Sequence, residues 1–463
     1  MSSPKRAIVI GGSMAGLLAA RVLVDHFSEV VLVERDRLPA QAEFRAGVPQ
    51  SRHLHVLLRR GAQLLEQFFP GISADLVSAG AEILSWPRDL LWLGPGGWGQ
   101  RFDLDFTLIC SRRELVEWSV RRRVLASERL RVVQEHDVTA LMSTPDGGAV
   151  RGVRLHARGD ADPASAHELE AALVVDASGR GSRAPEWLQA LGYPAPRQTV
   201  VNPFLGYASR QYEPPPGFHA DWRALFLQAR APQTTRAGGL FPIEGGRWIV
   251  TLAGIGGDYP PTDDEGFLEF ARSLRTPILY EAIKNARPLT PIAGYRRTEN
   301  RLRHYDELQR WPDRLVVLGD AACALNPIYG QGMSVAAETA LVLDDWVRRA
   351  EAPLAFQRRL ARSITTPWLL ATAEDYRYST TEGGQRDLTT RLMHRYFDQL
   401  TRVALVDPVV QRAFLGVIHL LAAPKVLFQP HIVARTLRGP GGRRLSQPPT
   451  LTPLADSVPA AVI

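Results

Sequence analysis

Ala7-Ile8-Val9-Ile10 runs directly into Gly11-Gly12-Ser13-Met14-Ala15-Gly16, and this junction restricts the fold more than any other stretch. A short apolar run closed by glycine predicts a buried strand. Leu17 to His26 contains no Gly or Pro and predicts a helix. Glu29 to Glu34 predicts a second strand that ends in an acid, 18 residues beyond Gly16. Strand, Gly-rich turn, helix, strand and terminal carboxylate make a dinucleotide-binding unit. A pyrophosphate would rest on the helix N-terminus. Glu34 would bond the ribose hydroxyls, and an acid there disfavours a 2′-phosphate, which excludes NADP as this first nucleotide. Ser13 stands where the pattern expects a third glycine. Its Cβ restricts backbone approach to a phosphate, and its hydroxyl offers a bond in exchange.

Residues 315–346 repeat the theme. Leu315–Leu318 predicts a strand, Gly319-Asp320 closes it, and Asn326-Pro327 with Gly330-Gln331-Gly332 forms a turn-rich loop. Met333 to Trp346 predicts a helix. Its N-terminus favours nearby negative charge by about 1 kcal/mol. Ala172–Val175 is a third apolar run that delivers an acid, Asp176, into the turn Ala177–Ser182. Three strands thus end in Glu34, Asp176 and Asp320, and ligands of open α/β sheets gather at such ends.

Elsewhere, Ser111/Glu114 and Thr262/Glu265 have capping-box spacing and predict helices to Ala126 and Leu274. Strands are expected at Leu130–Gln134, His136–Leu141 and Val150–His156, then at Leu225–Ala229, Gly239–Ile243 and Trp248–Ala253. The latter three predict an antiparallel sheet able to roof a ligand, with Phe226, Phe241 and Trp248 read as core. From Ala350 to Thr436 the pattern is helical, divided by prolines 353, 367, 408, 424 and 430. Gly439 onward is rich in Pro, Gly and small residues and is expected to be disordered.

With 463 residues the chain can hold two or three domains. Its net charge of +7 comes almost wholly from scattered arginines, since Lys occurs only at 5, 284 and 425. No basic run interleaved with aromatics appears, so nucleic acid is not an expected partner. Arg121-Arg122-Arg123 reads as the wet face of a helix. Cys110 and Cys323 are far apart in sequence, which gives no metal site or redox pair and points to a reducing compartment. No run is long enough for a transmembrane segment or a signal peptide core. A cytoplasmic location is expected, with peripheral membrane docking by residues 410–430 left open.

The Gly11–Gly16 turn, the Gly319-Asp320…Pro327…Gly330-x-Gly332 signature and the Asp176–Ser182 turn resemble those of FAD-dependent monooxygenases built like aromatic hydroxylases. Gly47–His55, Gly254–Pro261 and Asn326–Met333 are similar to a subgroup that includes polyene epoxidases of polyether biosynthesis. The resemblance implies an α/β fold. It has a Rossmann-like FAD-binding domain with a mostly parallel sheet (1–75, 105–196 and 285–350) and an antiparallel β-sheet substrate domain (76–104 and 197–284). C-terminal helices (351–436) and a disordered tail (437–463) follow. It assigns Gly11, Gly12, Ser13, Met14, Ala15, Gly16, Glu34 and Arg35 to the ADP half of FAD. Asp320 goes to the ribitol; Pro327, Gly330, Gln331, Gly332 and Met333 go to the isoalloxazine loop. Arg112, Val138 and Asp176 complete the cofactor set. Arg52, His53 and His55 are candidate catalytic residues, helping through a hydrogen bond to the flavin or to a proton-donating water. The alternative is that Arg52 is a solvated ion-pair partner and both histidines are packed residues.

The expected reaction inserts one atom of O2 into an apolar alkene or aromatic substrate of secondary metabolism, through a C4a-hydroperoxyflavin. The family motif Asp-Gly-x-x-Ser is replaced by Ser178-Gly179-Arg180-Gly181-Ser182, with the acid two places earlier at Asp176. Electrons are therefore expected from NAD(P)H or from a partner flavin reductase. A flavin-dependent prenyl-chain reductase is the enzymatic alternative, and a non-catalytic carrier of the escort or dissociation-inhibitor type is the other. A flavin halogenase would need a catalytic Lys in the sheet region and a Trp-x-x-Trp-x-Ile-Pro box, and the sequence has neither.

Overall fold

The computed structural model describes residues 5–160, 162, 165–384 and 388–441. Most of the expected tail lies outside these residues. Its first two positions, Leu437 and Arg438, instead close the helix Pro430–Arg438.

A five-stranded parallel sheet draws its strands from residues 6–176 and 315–317. Its order is Leu315–Val317, Leu173–Asp176, Arg6–Ile10, Glu29–Val33, Leu130–Val133. Both faces are covered, so its strands read as continuous apolar runs. Ile10 pairs with Val33 on one side and Asp176 on the other, and Asp176 pairs with Val317. Four strands therefore finish along one edge. The helices Met14–Leu23 and Gly332–Arg349 pack against each other on one face. The small antiparallel sheet of His136–Ser143, Val150–Ala157 and His167–Glu170 abuts the main sheet.

The second sheet has eight strands, among them Leu90–Gly94, Gly206–Glu213, Ala224–Leu227, Arg236–Ile243 and Arg247–Gly254. It is antiparallel except that Leu90–Gly94 pairs in parallel with Ala224–Leu227. Gly245 and Gly246 carry φ of +78° and +67° in the predicted hairpin turn, a conformation glycine adopts at little cost. Side chains alternate between two cores. Leu225, Leu240, Trp248 and Val250 pack under the helices Asp264–Arg272 and Ile278–Ile283. Ala224, Phe226, Phe241 and Ile249 face the other way, toward Leu54, Val56, Trp86 and Phe106. Helices Pro353–Asp375, Leu388–Ala404, Pro408–Ile418 and Pro430–Arg438 complete the chain. No helix among the described residues is long and apolar enough to cross a membrane.

Several local expectations are corrected. Pro367 does not divide a helix but lies inside Pro353–Asp375. A proline there forfeits one main-chain bond, a cost of about 3 kcal/mol that burial of Phe356, Leu360, Ile364 and Ala371 offsets. Ser111/Glu114 form no capping box. Ser111 Oγ donates to Arg112 O, and Glu114 Oε1 accepts from Ser51 Oγ at 3.0 Å. The second cap is shifted by one residue, with Asp263 accepting from Gly266 N. Arg121 is buried rather than wet, because it donates to the carbonyls of Pro39 and Gln41.

Candidate functional site

The shared edge of the parallel sheet brings its loops into contact. Gly11 adopts φ +100°, and a Cβ there would fall 2.6 Å from Ala177 O. A Cβ on Gly16 would overlap Gly11 O, and one on Gly319 (φ +62°) would lie 2.6 Å from Ala15 Cβ. Each glycine is thus required by close approach of backbones. The turns after Ile10, Asp176 and Val317 form one cradle, with the first turn of Met14–Leu23 at its base.

Glu34 is 4% exposed and accepts from Gly12 N at 2.6 Å and from Asp36 N at 3.0 Å. Behind the glycine turn, Arg45 Nη2 donates to Gly12 O at 3.1 Å, while its other nitrogens meet Asp36 and Glu117 at 3.1 and 3.0 Å. Burial alone would raise the Glu117 carboxyl, but Arg113 and Arg45 hold it below the usual carboxylate range. Ser13 Oγ donates to Glu117 Oε2 at 3.1 Å and accepts from Arg113 Nη2 at 3.0 Å. Its hydroxyl is therefore engaged by protein. Arg112, the expected cofactor contact, turns its Nε to Glu244 Oε1 at 2.6 Å, and the neighbouring Arg113 is the one that reaches the glycine turn. Val138 is buried in the core beside this unit. A cavity of about 310 Å3 opens beyond Glu34, lined by Arg35, Asp36, Phe44, Arg45, Glu135 and Arg158.

Asp176 is fully buried. Its oxygens accept from Ser178 N at 2.9 Å and from the hydroxyls of Ser178 and Ser182, both at 2.5 Å. It shapes the turn from within, whereas the Asp320 side chain is 44% exposed. Its carboxyl faces the Arg180 guanidinium, with Nε 4.0 Å away. Arg180 also donates to Glu299 O and Leu325 O, both at 2.7 Å, and so braces the loop that follows. In that loop Pro327 opens a short 3-10 turn capped by Asn326, and a Cβ on Gly330 (φ +67°) would lie 3.5 Å from Val56 O. Gln331 and Met333 are buried at the start of Gly332–Arg349. Gln331 Oε1 and Ser334 Oγ are buried there without a hydrogen-bond partner. Orphaned polar atoms beside a helix N-terminus are what a polar-edged ligand would satisfy.

His53 is 2% exposed, with Nδ1 2.8 Å from Ser209 Oγ, which in turn lies 2.6 Å from Thr251 Oγ1. It therefore ties the cradle to the large sheet. Its ring meets Tyr207 edge-on at 4.4 Å and Tyr295 at 5.8 Å. Burial, with His55 and Arg52 nearby, pushes it down to about 3. His55 Nδ1 lies 3.0 Å from His53 O, and burial with Arg113 nearby lowers it to about 4. Both imidazoles are neutral near pH 7, so they can share hydrogen bonds but not carry charge. Arg52 is exposed and stacks 3.6 Å above Phe44. Cys323 is buried, and burial raises its thiol, as expected of a packing residue. No cluster of metal-ligating side chains occurs among the described residues.

The sequence reading missed Asp36, Arg45, Arg113 and Glu117. Only the i,i+4 pair Arg113/Glu117 left a local signal; Arg45 acts entirely through distant partners.

This fold and cradle define a flavin-nucleotide-binding class. The FAD binding domain family model matches residues 5–345, and the chain belongs to that family, within the FAD-dependent monooxygenase superfamily. It is 33% identical to Protein Rv3254 of Mycobacterium tuberculosis, over 94% of both chains. It is 27% identical to a kynurenine 3-monooxygenase of Salinispora arenicola, covering 89% of this chain and 93% of that one. In fold it is similar to the flavin-dependent brominase Bmp2, with a TM-score of 0.65 at 15% identity, over 93% of this chain and 97% of that one.

Proposed function

We propose that FAD lies along the cradle and that the chain inserts one oxygen atom of O2 into an apolar alkene or aromatic substrate. The observation that carries this is the convergence of the three strand-end turns, in contact through Gly11, Gly16 and Gly319. The ADP half lies on Gly11, Gly12, Ser13, Met14, Ala15 and Gly16, with Glu34 and Arg35 at the ribose and adenine. Asp320 faces the ribitol. Pro327, Gly330, Gln331, Gly332 and Met333 would hold the ring. Arg112 and Asp176 act one step away, through Glu244 and the Ser178–Ser182 turn.

Bound and reduced, FAD supplies the activation of O2. The chain's own residues bind, orient and keep out water. The N-terminus of the helix Gly332–Arg349 would favour negative charge on a ring held by this loop by about 1 kcal/mol. Phe226, Phe241 and Ile249 pack an apolar sheet face against Leu54 and Val56, and Val56 passes beside Gly330. That packed face keeps water out on this side of the loop. His53 holds its position through Ser209 and serves as a neutral hydrogen-bonding group, His55 supports it, and Arg52 adds a positive charge nearby while stacking on Phe44.

The test is product analysis under 18O2 with polyenes and aromatic compounds of secondary metabolism. One arm supplies NADPH alone; the other adds a flavin reductase. One 18O per product supports the reading, and the arm that turns over identifies the electron source. Reduction of an alkene without 18O would overturn it in favour of a reductase.

A further inference from the structure

The helix Pro353–Asp375 ends in a carboxylate that none of the cofactor motifs contains. Asp375 is 1% exposed and lies directly behind the loop that leads to Gly330. Three side chains donate to it. Asn300 Nδ2 is 2.5 Å from Oδ2, Tyr329 Oη is 2.6 Å from Oδ1, and Asn326 Nδ2 is 3.1 and 3.3 Å from the two oxygens. The amide orientations are fixed from the far side. Asn300 Oδ1 accepts from Asn326 N at 2.7 Å, and Asn326 Oδ1 accepts from Ile328 N at 3.2 Å. Their nitrogens must therefore face Asp375. An ionised carboxylate, which only accepts, matches three donors; a protonated one offers a donor to groups already donating.

We propose that Asp375 is a positioning residue that clamps Asn326 and Tyr329 when ionised and loosens them when protonated. It thereby couples the geometry of the Gly330-Gln331-Gly332 loop, and its grip on the flavin, to the proton. This rests on the flavin reading above. Burial pushes the carboxyl up to about 7, against the pull of Tyr329, Asn326 and Asn300. The other ionisable groups around it are Glu374, whose carboxylate pairs with Arg377, Tyr376, whose phenol burial and Asp375 push up, and Tyr378, which donates to Thr234 O. Arg377 is also drawn away, to Asp398.

The experiment has a protein-only arm and a flavin arm. Infrared difference spectra of wild type against Asp375→Asn, between pH 5 and 9, read the carbonyl stretch of a protonated buried carboxyl. A band that vanishes with a midpoint near 7 is expected; its absence at pH 5 overturns the proton dependence. In the flavin arm, FAD affinity is titrated at pH 6 and pH 8. Wild type should bind about tenfold tighter at pH 8, the worth of one hydrogen bond to a charged group. Asp375→Asn should bind about tenfold more weakly than wild type at pH 8 and show no pH dependence. Tyr329→Phe keeps the carboxyl and removes one donor, so its infrared midpoint should move to higher pH, which serves if Asp375→Asn fails to fold. An unchanged affinity and pH dependence in Asp375→Asn would overturn the proposal. A wild type that takes up no FAD at any pH would instead overturn the flavin reading, with the infrared titration still reporting on the clamp.

Discussion

Glu34 is held by two main-chain donors, Gly12 N and Asp36 N, in a buried site. Glu34→Gln must aim an amide N–H at one of them, so a loss of about 1–3 kcal/mol is expected in denaturant unfolding. FAD affinity should fall with it, by direct titration. At His53 the prediction concerns pH. Its imidazole, lowered to about 3, stays neutral from pH 5 to 9. His53→Gln should therefore lower product per reduced flavin by the same factor across that range, and unchanged coupling would remove it from the reaction. These residues differ in legibility. Gly11, Gly16 and Gly319 stood out because close backbone approach admits no Cβ and leaves a fixed spacing in sequence. His53 was visible only as a polar residue in a shared motif, since Ser209 and Thr251, which position it, lie 156 and 42 residues apart in the pairings they make.

The helix Arg113–Leu125 shows how an element carries charge into the interior. Arg113 and Glu117 lie one turn apart on its buried face, and Arg45 closes the network onto Asp36 and Gly12. Arg45→Met leaves buried acids without their cation and should cost about 3–5 kcal/mol in denaturant unfolding. The sign with pH follows from Glu117, whose native carboxyl is held low. Its contribution is present above the unfolded carboxylate range and is lost as pH falls below it. In Arg45→Met that depression shrinks, so the acid limb of the stability curve should flatten. The Ser111/Glu114 spacing located this helix, but the capping box it implied does not form. Glu114 is drawn out of the capping geometry by Ser51, a tertiary partner that local spacing cannot report. Pro367 misled for the same reason, because the packing that keeps the helix whole lies on other elements.

The whole molecule joins a parallel sheet, whose strand ends supply the cradle, to a larger sheet that turns an apolar face toward Val56 and Leu54. The first was legible because buried parallel strands are continuous apolar runs ending in turns. Much of the second was not. Leu90–Gly94 and Gly206–Glu213 pair with strands more than a hundred and about forty residues away, respectively, and their hydrophobicity alone does not say so. FAD that binds only the folded chain should raise its stability by about 2.7 kcal/mol at a hundredfold excess over Kd, read as a rise in melting temperature. The most direct test of the cradle is the stoichiometry of FAD binding, followed by flavin fluorescence and visible circular dichroism. Wild type should take up one FAD per chain. Gly319→Val, with far-ultraviolet circular dichroism unchanged, should take up none, because its side chain would collide with Ala15 where the two turns meet. Full stoichiometric binding by folded Gly319→Val, or no binding by wild type, would contradict the account.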